Sequence, residues 1–183
     1  MSVSTVRRPV RQEPQERRRA LYHLASPVSV LTVDNGGRLH GTTASTVTLV
    51  SREPLLVGVV LRAGSSFGAL AVAEGRFVIN VLDAGQAGLA RWFADSRRPD
   101  GGAQFDGVPW TPDPYAKAPL LDGAMAHYSC RFHSRHPAGD GELLLGYVVR
   151  AAAQAGPPLF SYTGGLFSGA LFPATPTKET TAS

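Results

Sequence analysis

The stretch from Gly41 to Leu70, GTTASTVTLVSREPLLVGVVLRAGSSFGAL, constrains this chain more than any other. It reads as a hydroxyl-rich strand, a tight turn at Arg52-Glu53-Pro54, and a strongly apolar strand over Leu55 to Leu61. A Gly-Ser-Ser turn then opens a short helix. Two polar clusters punctuate it: Thr42, Thr43, Ser45 and Thr46 on the first strand, and Arg62, Gly64, Ser65 and Ser66 after the second. Hydroxyls and free backbone N–H groups at a helix start, with one Arg nearby, are what a phosphate monoester needs from a protein. The two clusters are therefore expected to hold one bound anionic cofactor.

The flanking sequence predicts more short strands than helices. Arg17 to Leu24 has helix formers throughout, and Pro27 ends it. Val28 to Val33 is a β-branched strand, and Asp34-Asn35-Gly36-Gly37 is a strong hairpin signal. The return strand is expected to run unbroken from about Arg38 to Val50. Leu55 to Leu61, apolar at nearly every position, predicts a strand covered on both faces in the middle of the sheet. A helix over Ser65 to Ala73 stops at Glu74-Gly75, a strand follows over Arg76 to Leu82, and a helix over Gln86 to Asp95. Gly, Pro and Asp fill Arg97 to Pro119, which predicts a surface excursion anchored by Phe105, Val108, Trp110 and Tyr115. Leu120 to Phe132 and Glu142 to Ala152 are strands about a turn at Pro137 to Gly141, and Leu159 to Tyr162 adds a short one. Close-spaced short strands with two or three brief helices point to a mainly β, antiparallel barrel.

Composition excludes several function classes. With 183 residues and 43% hydrophobic content, one domain with a real core is expected. Cys130 stands alone, so there is no intrachain disulfide and no cysteine zinc cluster; its surroundings, HYSCRF, suit a buried structural thiol better than a nucleophile. The net charge of +4 sits in residues 1–19, where six Arg face two Glu, and the rest is balanced by count. That distribution argues against a nucleic-acid-binding face; it fits a disordered basic leader over residues 1–16, with an interaction arm as the lesser reading. Residues 173–183, TPTKETTAS at their end, have the composition of a disordered tail. No apolar run reaches the length of a membrane span and no signal core follows the basic start, so a cytoplasmic protein is expected. The chain has no lysine-bearing P-loop, no G-x-G-x-x-G after a strand and no G-x-S-x-G elbow. His133 and His136 flank a turn sequence and suit a loop surface better than a metal; His127, alternating with Tyr128 on a strand, suits packing or an interface.

Taken in order, the residues resemble a known family. Ala20-Leu-Tyr-His-Leu-Ala-Ser-Pro-Val-Ser-Val-Leu-Thr32 is similar to the opening helix and strand of the short-chain flavin reductases, the flavin reductase-like, FMN-binding split-barrel family. Gly41 to Ser51 followed by Glu53-Pro54-Leu55-Leu56 resembles the family's G-x-T-A-N/S-S/T-F-x-S-x-S-x-x-P-P-L block. Ser65-Ser66 with Ala69-Leu70, Phe77 to Leu82, Phe105-Asp-Gly-Val108 with Trp110, Pro119 to Ala124, and Gly139-Asp140 with Gly146 continue in register. The resemblance covers about Arg19 to Phe167. It implies a split-barrel domain, of Greek-key type, over residues 17–172, forming a homodimer with a flavin, FMN or FAD, at the interface. It further implies reduction of that flavin by NADH or NADPH and its delivery to a partner monooxygenase. Carried over by position, Thr43, Ala44, Ser45 and Thr46 would line the isoalloxazine and ribityl chain, Ser51 would approach the ring, and Arg62, Ser65 and Ser66 would take the phosphate. Two departures stand out. Gly141 replaces the His of the family's G-D-H turn, which seats the nicotinamide, leaving His136 or His133 to supply a ring from nearby; Val47 replaces an aromatic residue. The alternative reading is a split-barrel protein that is not a reductase and binds flavin, haem or another planar ligand.

Overall fold

The computed structural model describes residues 13–21 and 23–169. The leader expected over 1–16 and the tail over 173–183 lie outside these residues except at positions 13–16. There the chain is helical: α1 spans Pro14–Leu21, three residues earlier than Arg17 at its start and ending before Leu24. Proline at the first helical position lacks only an N–H that would have no helical partner.

Seven antiparallel strands form the main sheet: β2 (Ser29–Asn35), β3 (Arg38–Ala44), β4 (Thr48–Arg52), β5 (Leu55–Arg62), β6 (Arg76–Val81), β9 (Ala126–Ala138) and β10 (Gly141–Ala153), in the order β3-β2-β6-β9-β10-β5-β4. The short pair β7 (Trp110–Pro112) and β8 (Pro119–Leu121) stands beside it. A further three-stranded piece joins β1 (Ser26–Pro27) to the terminal hairpin of β11 (Leu159–Tyr162) and β12 (Gly165–Ser168). Two helices complete the fold, α2 (Ser66–Glu74) and α3 (Ala87–Ala94).

The hairpin at Asp34 forms as expected: Asn35 pairs with Arg38, and Gly36 and Gly37 both take positive φ. The expected unbroken strand from Arg38 to Val50 is instead two, and they lie at opposite edges of the sheet. Laid flat, seven strands would separate those edges by about 29 Å. The three residues between Ala44 and Thr48 reach at most about 14 Å. The sheet must therefore roll up, and Thr46 ties the roll: its hydroxyl donates to the Val60 carbonyl at 2.8 Å and accepts from the Val60 N–H at 3.1 Å. One threonine side chain thus replaces a strand partner along the part of β5 that β4 does not reach.

β5 is second from the edge, not central. Val57, Val59 and Leu61 enter the core, while Val60 on the other face stays 42% exposed. The core inside the roll joins these to Leu31, Phe67, Phe77, Ile79, Cys130 and Leu144, and α2 packs against β2 with Phe67 and Ala71 buried. α2 ends where Gly75 adopts φ 76°, as the Glu74-Gly75 pair predicts. The segment read as one strand from Leu120 is broken at Asp122-Gly123 into β8 and β9, because Gly123 turns with φ 77°. A second core, of Val28, Val30, Leu82, Phe93, Phe105 and Leu121, holds α3 and the long excursion against the barrel.

Candidate flavin site

The two hydroxyl clusters meet through the Thr46 to Val60 link. Val60 is two residues, about 7 Å, from Arg62 at the end of β5; Arg62 leads through the Ser65 turn into α2. Ser65 is the N-cap of α2, its hydroxyl accepting from Gly68 N–H at 3.3 Å. That leaves the N–H groups of Ser66 and Phe67 ahead of the first intrahelical bond, which runs from Ala69 to Ser65. Ser66 and Arg62 are exposed and, among the described residues, their side chains hold no protein partner. A helix start with the Ser66 N–H, one free hydroxyl and one free guanidinium at the surface is a chemically competent seat for a phosphate, while Phe67 is fully buried.

The other hydroxyls divide by employment. Thr43 donates to the Ala90 carbonyl at 2.7 Å and fastens β3 to α3, and Ala44 is buried in the core. Thr46 is committed to Val60. Ser45 is half-buried and, with Thr46, lines a cleft of about 500 Å³ whose other walls are Leu21, Leu24, Ser26 and the Ser161 to Gly164 turn. Ser51 is not brought to this group: it pairs with Leu56, six residues or about 20 Å down β5 from Arg62. His136 is exposed on β9, pairs with Leu143, and bonds Ser134 Oγ at 2.9 Å. The strand over Leu159 to Tyr162 forms as expected, but its place as a wall of this cleft depends on tertiary packing that no local sequence signal encodes.

Beneath α2, Glu142 points inward. Its Oε1 is buried without a hydrogen-bond partner, and Arg135 stands 3.6 Å from Oε2. A Cβ on Gly68 would lie 2.5 Å from that oxygen, so a side chain there would displace the Glu142 carboxylate. The adjacent Gly141 is more tightly constrained, since a Cβ would come 2.7 Å from the Leu61 backbone carbonyl and 3.3 Å from Val60 Cγ1. The position that carries His in the resembled pattern is therefore closed to any side chain without movement of β5.

Two further histidines are built into the frame. Burial, with Arg98 next, pushes His40 down to about 4; its Nδ1 faces Gln104 Nε2 at 3.3 Å. Burial also lowers His127, whose Nε2 lies 3.0 Å from the Leu121 carbonyl. Cys130 is fully buried, and burial pushes its thiol up to about 12.

A rolled antiparallel sheet with a phosphate-competent helix start beside a hydroxyl-lined cleft makes an antiparallel barrel with a seat for an anionic ligand. The same class emerges from known proteins. A family model described as flavin reductase like domain matches residues 21–170. An NADPH-flavin oxidoreductase of Streptomyces viridifaciens is 38% identical over 156 residues, covering 85% of this chain and 80% of the relative. An NADH-dependent FAD reductase of Streptomyces globisporus is 35% identical over 158 residues, covering 85% and 86%. Among solved structures, the flavin reductase component of a bacterial two-component tryptophan halogenase superposes with a TM-score of 0.79 at 27% identity, covering 85% of this chain and 98% of that one. The chain belongs to the flavin reductase-like family, and its fold is the mainly β, antiparallel split barrel of that family. No helix among the described residues is long and apolar enough to cross a membrane.

Proposed function

We propose that this protein is an NAD(P)H-dependent flavin reductase that supplies reduced FMN or FAD to a partner oxygenase. The observation that carries the reading is the Thr46 to Val60 link, which sets the Ser45–Thr46 cleft two residues along β5 from Arg62 and so suits one elongated ligand with an anionic end. Relatives named for NADPH and for NADH, and for FAD, support the chemistry. Hydride transfer from a dihydronicotinamide to a flavin is supplied by the two cofactors; it requires close stacking more than an acid or base. The chain's part is to hold the phosphate at Arg62 and Ser66, to offer Ser45 and the backbone at 43–46 to the ring and ribityl edge, and to exclude water. Residues 17–172 are taken as the unit that does this.

We infer a homodimer through the face formed by β4, β5 and β10. Val50 and Val60 are 47% and 42% exposed there and lie beside Leu143 and Leu145, which meet Val50 over Gly58, an apolar cluster that self-association would cover. Light scattering at micromolar protein should give twice the chain mass; a monomer would refute it.

The reading is tested by mixing the protein with FMN or FAD and NADH or NADPH in air and following nicotinamide absorbance. Oxidation dependent on both protein and flavin is expected. The closed position at Gly141 favours one second reading, a barrel that binds a planar ligand without reducing it; flavin binding with no oxidation by either nicotinamide would select it.

A further inference from the structure

The Ser45–Thr46 cleft has an aromatic side. Tyr162 lines it, at the end of β11, and is held by two rings: His23 lies edge-on at 5.8 Å with its Nδ1 3.1 Å from the Tyr162 hydroxyl, and Phe167 lies edge-on at 6.0 Å. The ring is 36% exposed, so one part is fixed and another is open to the cleft. The next residue, Thr163, sits at φ 47° and lines the same cleft. A β-branched residue in the left-handed region is strained, and the adjoining Gly164 shows a turn in which Asn or Gly is the usual occupant. The described lining carries hydroxyls, from Ser26, Ser45, Thr46, Ser161 and Thr163, and apolar surface, from Leu21, Leu24 and Tyr162, with no charged side chain. That is the chemistry of a flat, uncharged heteroaromatic ring with a polar edge.

Cleft and Gly141 flank the same pair of residues. Thr46 lines the cleft and bonds Val60, while a Cβ at Gly141 would meet the Leu61 carbonyl at 2.7 Å and Val60 Cγ1 at 3.3 Å. A ring resting on Ser45 and Thr46 is thus denied a side chain from position 141 but is open to Tyr162. We propose that Tyr162, oriented by His23, seats the dihydronicotinamide ring, with the Ser161 and Thr163 hydroxyls facing its carboxamide. Tyr162 takes the place of the histidine that the family's G-D-H turn would supply. The proposal rests on the reductase reading, and it makes Tyr162 a substrate contact and His23 a positioning residue.

The test is a fluorescence titration of the full-length protein with NADH, and separately with NADPH, made without turnover on the wild type, Tyr162→Ala, Tyr162→Phe and His23→Ala. Flavin titrations and steady-state KM values accompany it. Tyr162→Ala should weaken nicotinamide binding roughly fivefold to tenfold, with KM rising in step, while flavin affinity stays within about twofold. Tyr162→Phe should retain most of the binding, and His23→Ala should fall between. Unchanged nicotinamide affinity in Tyr162→Ala overturns the proposal. So does an equal loss of flavin affinity, which would make Tyr162 a flavin contact rather than a nicotinamide one. A wild type that binds NADH but oxidises none contradicts the reductase reading while the same titrations still decide the role of Tyr162; a wild type that binds neither nicotinamide overturns both.

Discussion

Two polar regions of this molecule use the same side-chain types in opposite ways. Under β7 and β8, polar groups are buried and fully employed. Asn80 donates to the Val30 and Pro119 carbonyls and accepts from Leu121 N–H at 2.9 Å, and Thr32 donates to the Pro119 carbonyl at 2.6 Å. Asp113, 2% exposed, accepts from Ser129 Oγ at 2.6 Å and from the Tyr115 and Ala116 N–H groups. At the rim beside α2, Ser45, Ser66 and Arg62 have no such partners among the described residues, although they sit among neighbours, Thr43, Thr46 and Ser65, that do. Saturated polar groups in the interior specify where a loop must lie. Unsaturated ones at a rim, fixed in place by saturated neighbours, are available to a ligand.

The sharpest way to break that contrast is at Asp113. Asp113→Ala strands two backbone N–H groups and a buried hydroxyl, so stability should fall by about 2 to 4 kcal/mol in denaturant unfolding. Flavin affinity per folded molecule should be unchanged; a loss of affinity without a loss of stability would assign Asp113 to the ligand site. Next in size is Gly141→Ala. Its Cβ meets the Leu61 carbonyl at 2.7 Å, and the overpacking should cost about 1 to 3 kcal/mol; a neutral effect would show that the hairpin has room for a side chain.

A smaller effect follows from His40, held in the network of Gln104, Arg98 and the Gly41 backbone. Its folded pKa, about 4, lies below the ordinary 6.5. Between those values the unfolded chain takes up a proton that the fold refuses, so stability is full above about pH 6.5 and declines as the pH falls towards about 4. Melting temperatures across that window should drop by a few degrees, and His40→Gln should flatten the profile. The smallest response belongs to Cys130: buried, with its thiol pushed up to about 12, it should react with a thiol reagent only on unfolding.

Much of this was legible in the chain, and the failures have physical causes. The Asp34 to Gly37 hairpin, the α2 stop at Gly75 and the buried thiol at Cys130 follow from local rules, and the structure has all three. The family resemblance rested on motifs whose order the fold preserves. What local rules missed was the break at Ser45 to Val47, since hydroxyl-rich sequence suits a continuous strand equally well; only the roll of the sheet forces the chain across. For the same reason, they could not tell Thr46, spent on Val60, from Ser45, which lines the cleft. The Tyr162 wall depends on a tertiary contact with His23, 139 residues away.

The central claim is that the unpartnered groups at the rim hold the flavin phosphate. Its most direct test is an equilibrium titration of FMN into the Arg62→Gln, Ser66→Ala double variant, whose changed side chains make no hydrogen bond that the fold needs among the described residues. The account predicts binding weaker by about 1 to 3 kcal/mol, a roughly fivefold to 150-fold rise in Kd, with unfolding unchanged. FMN affinity equal to that of the wild type would contradict it.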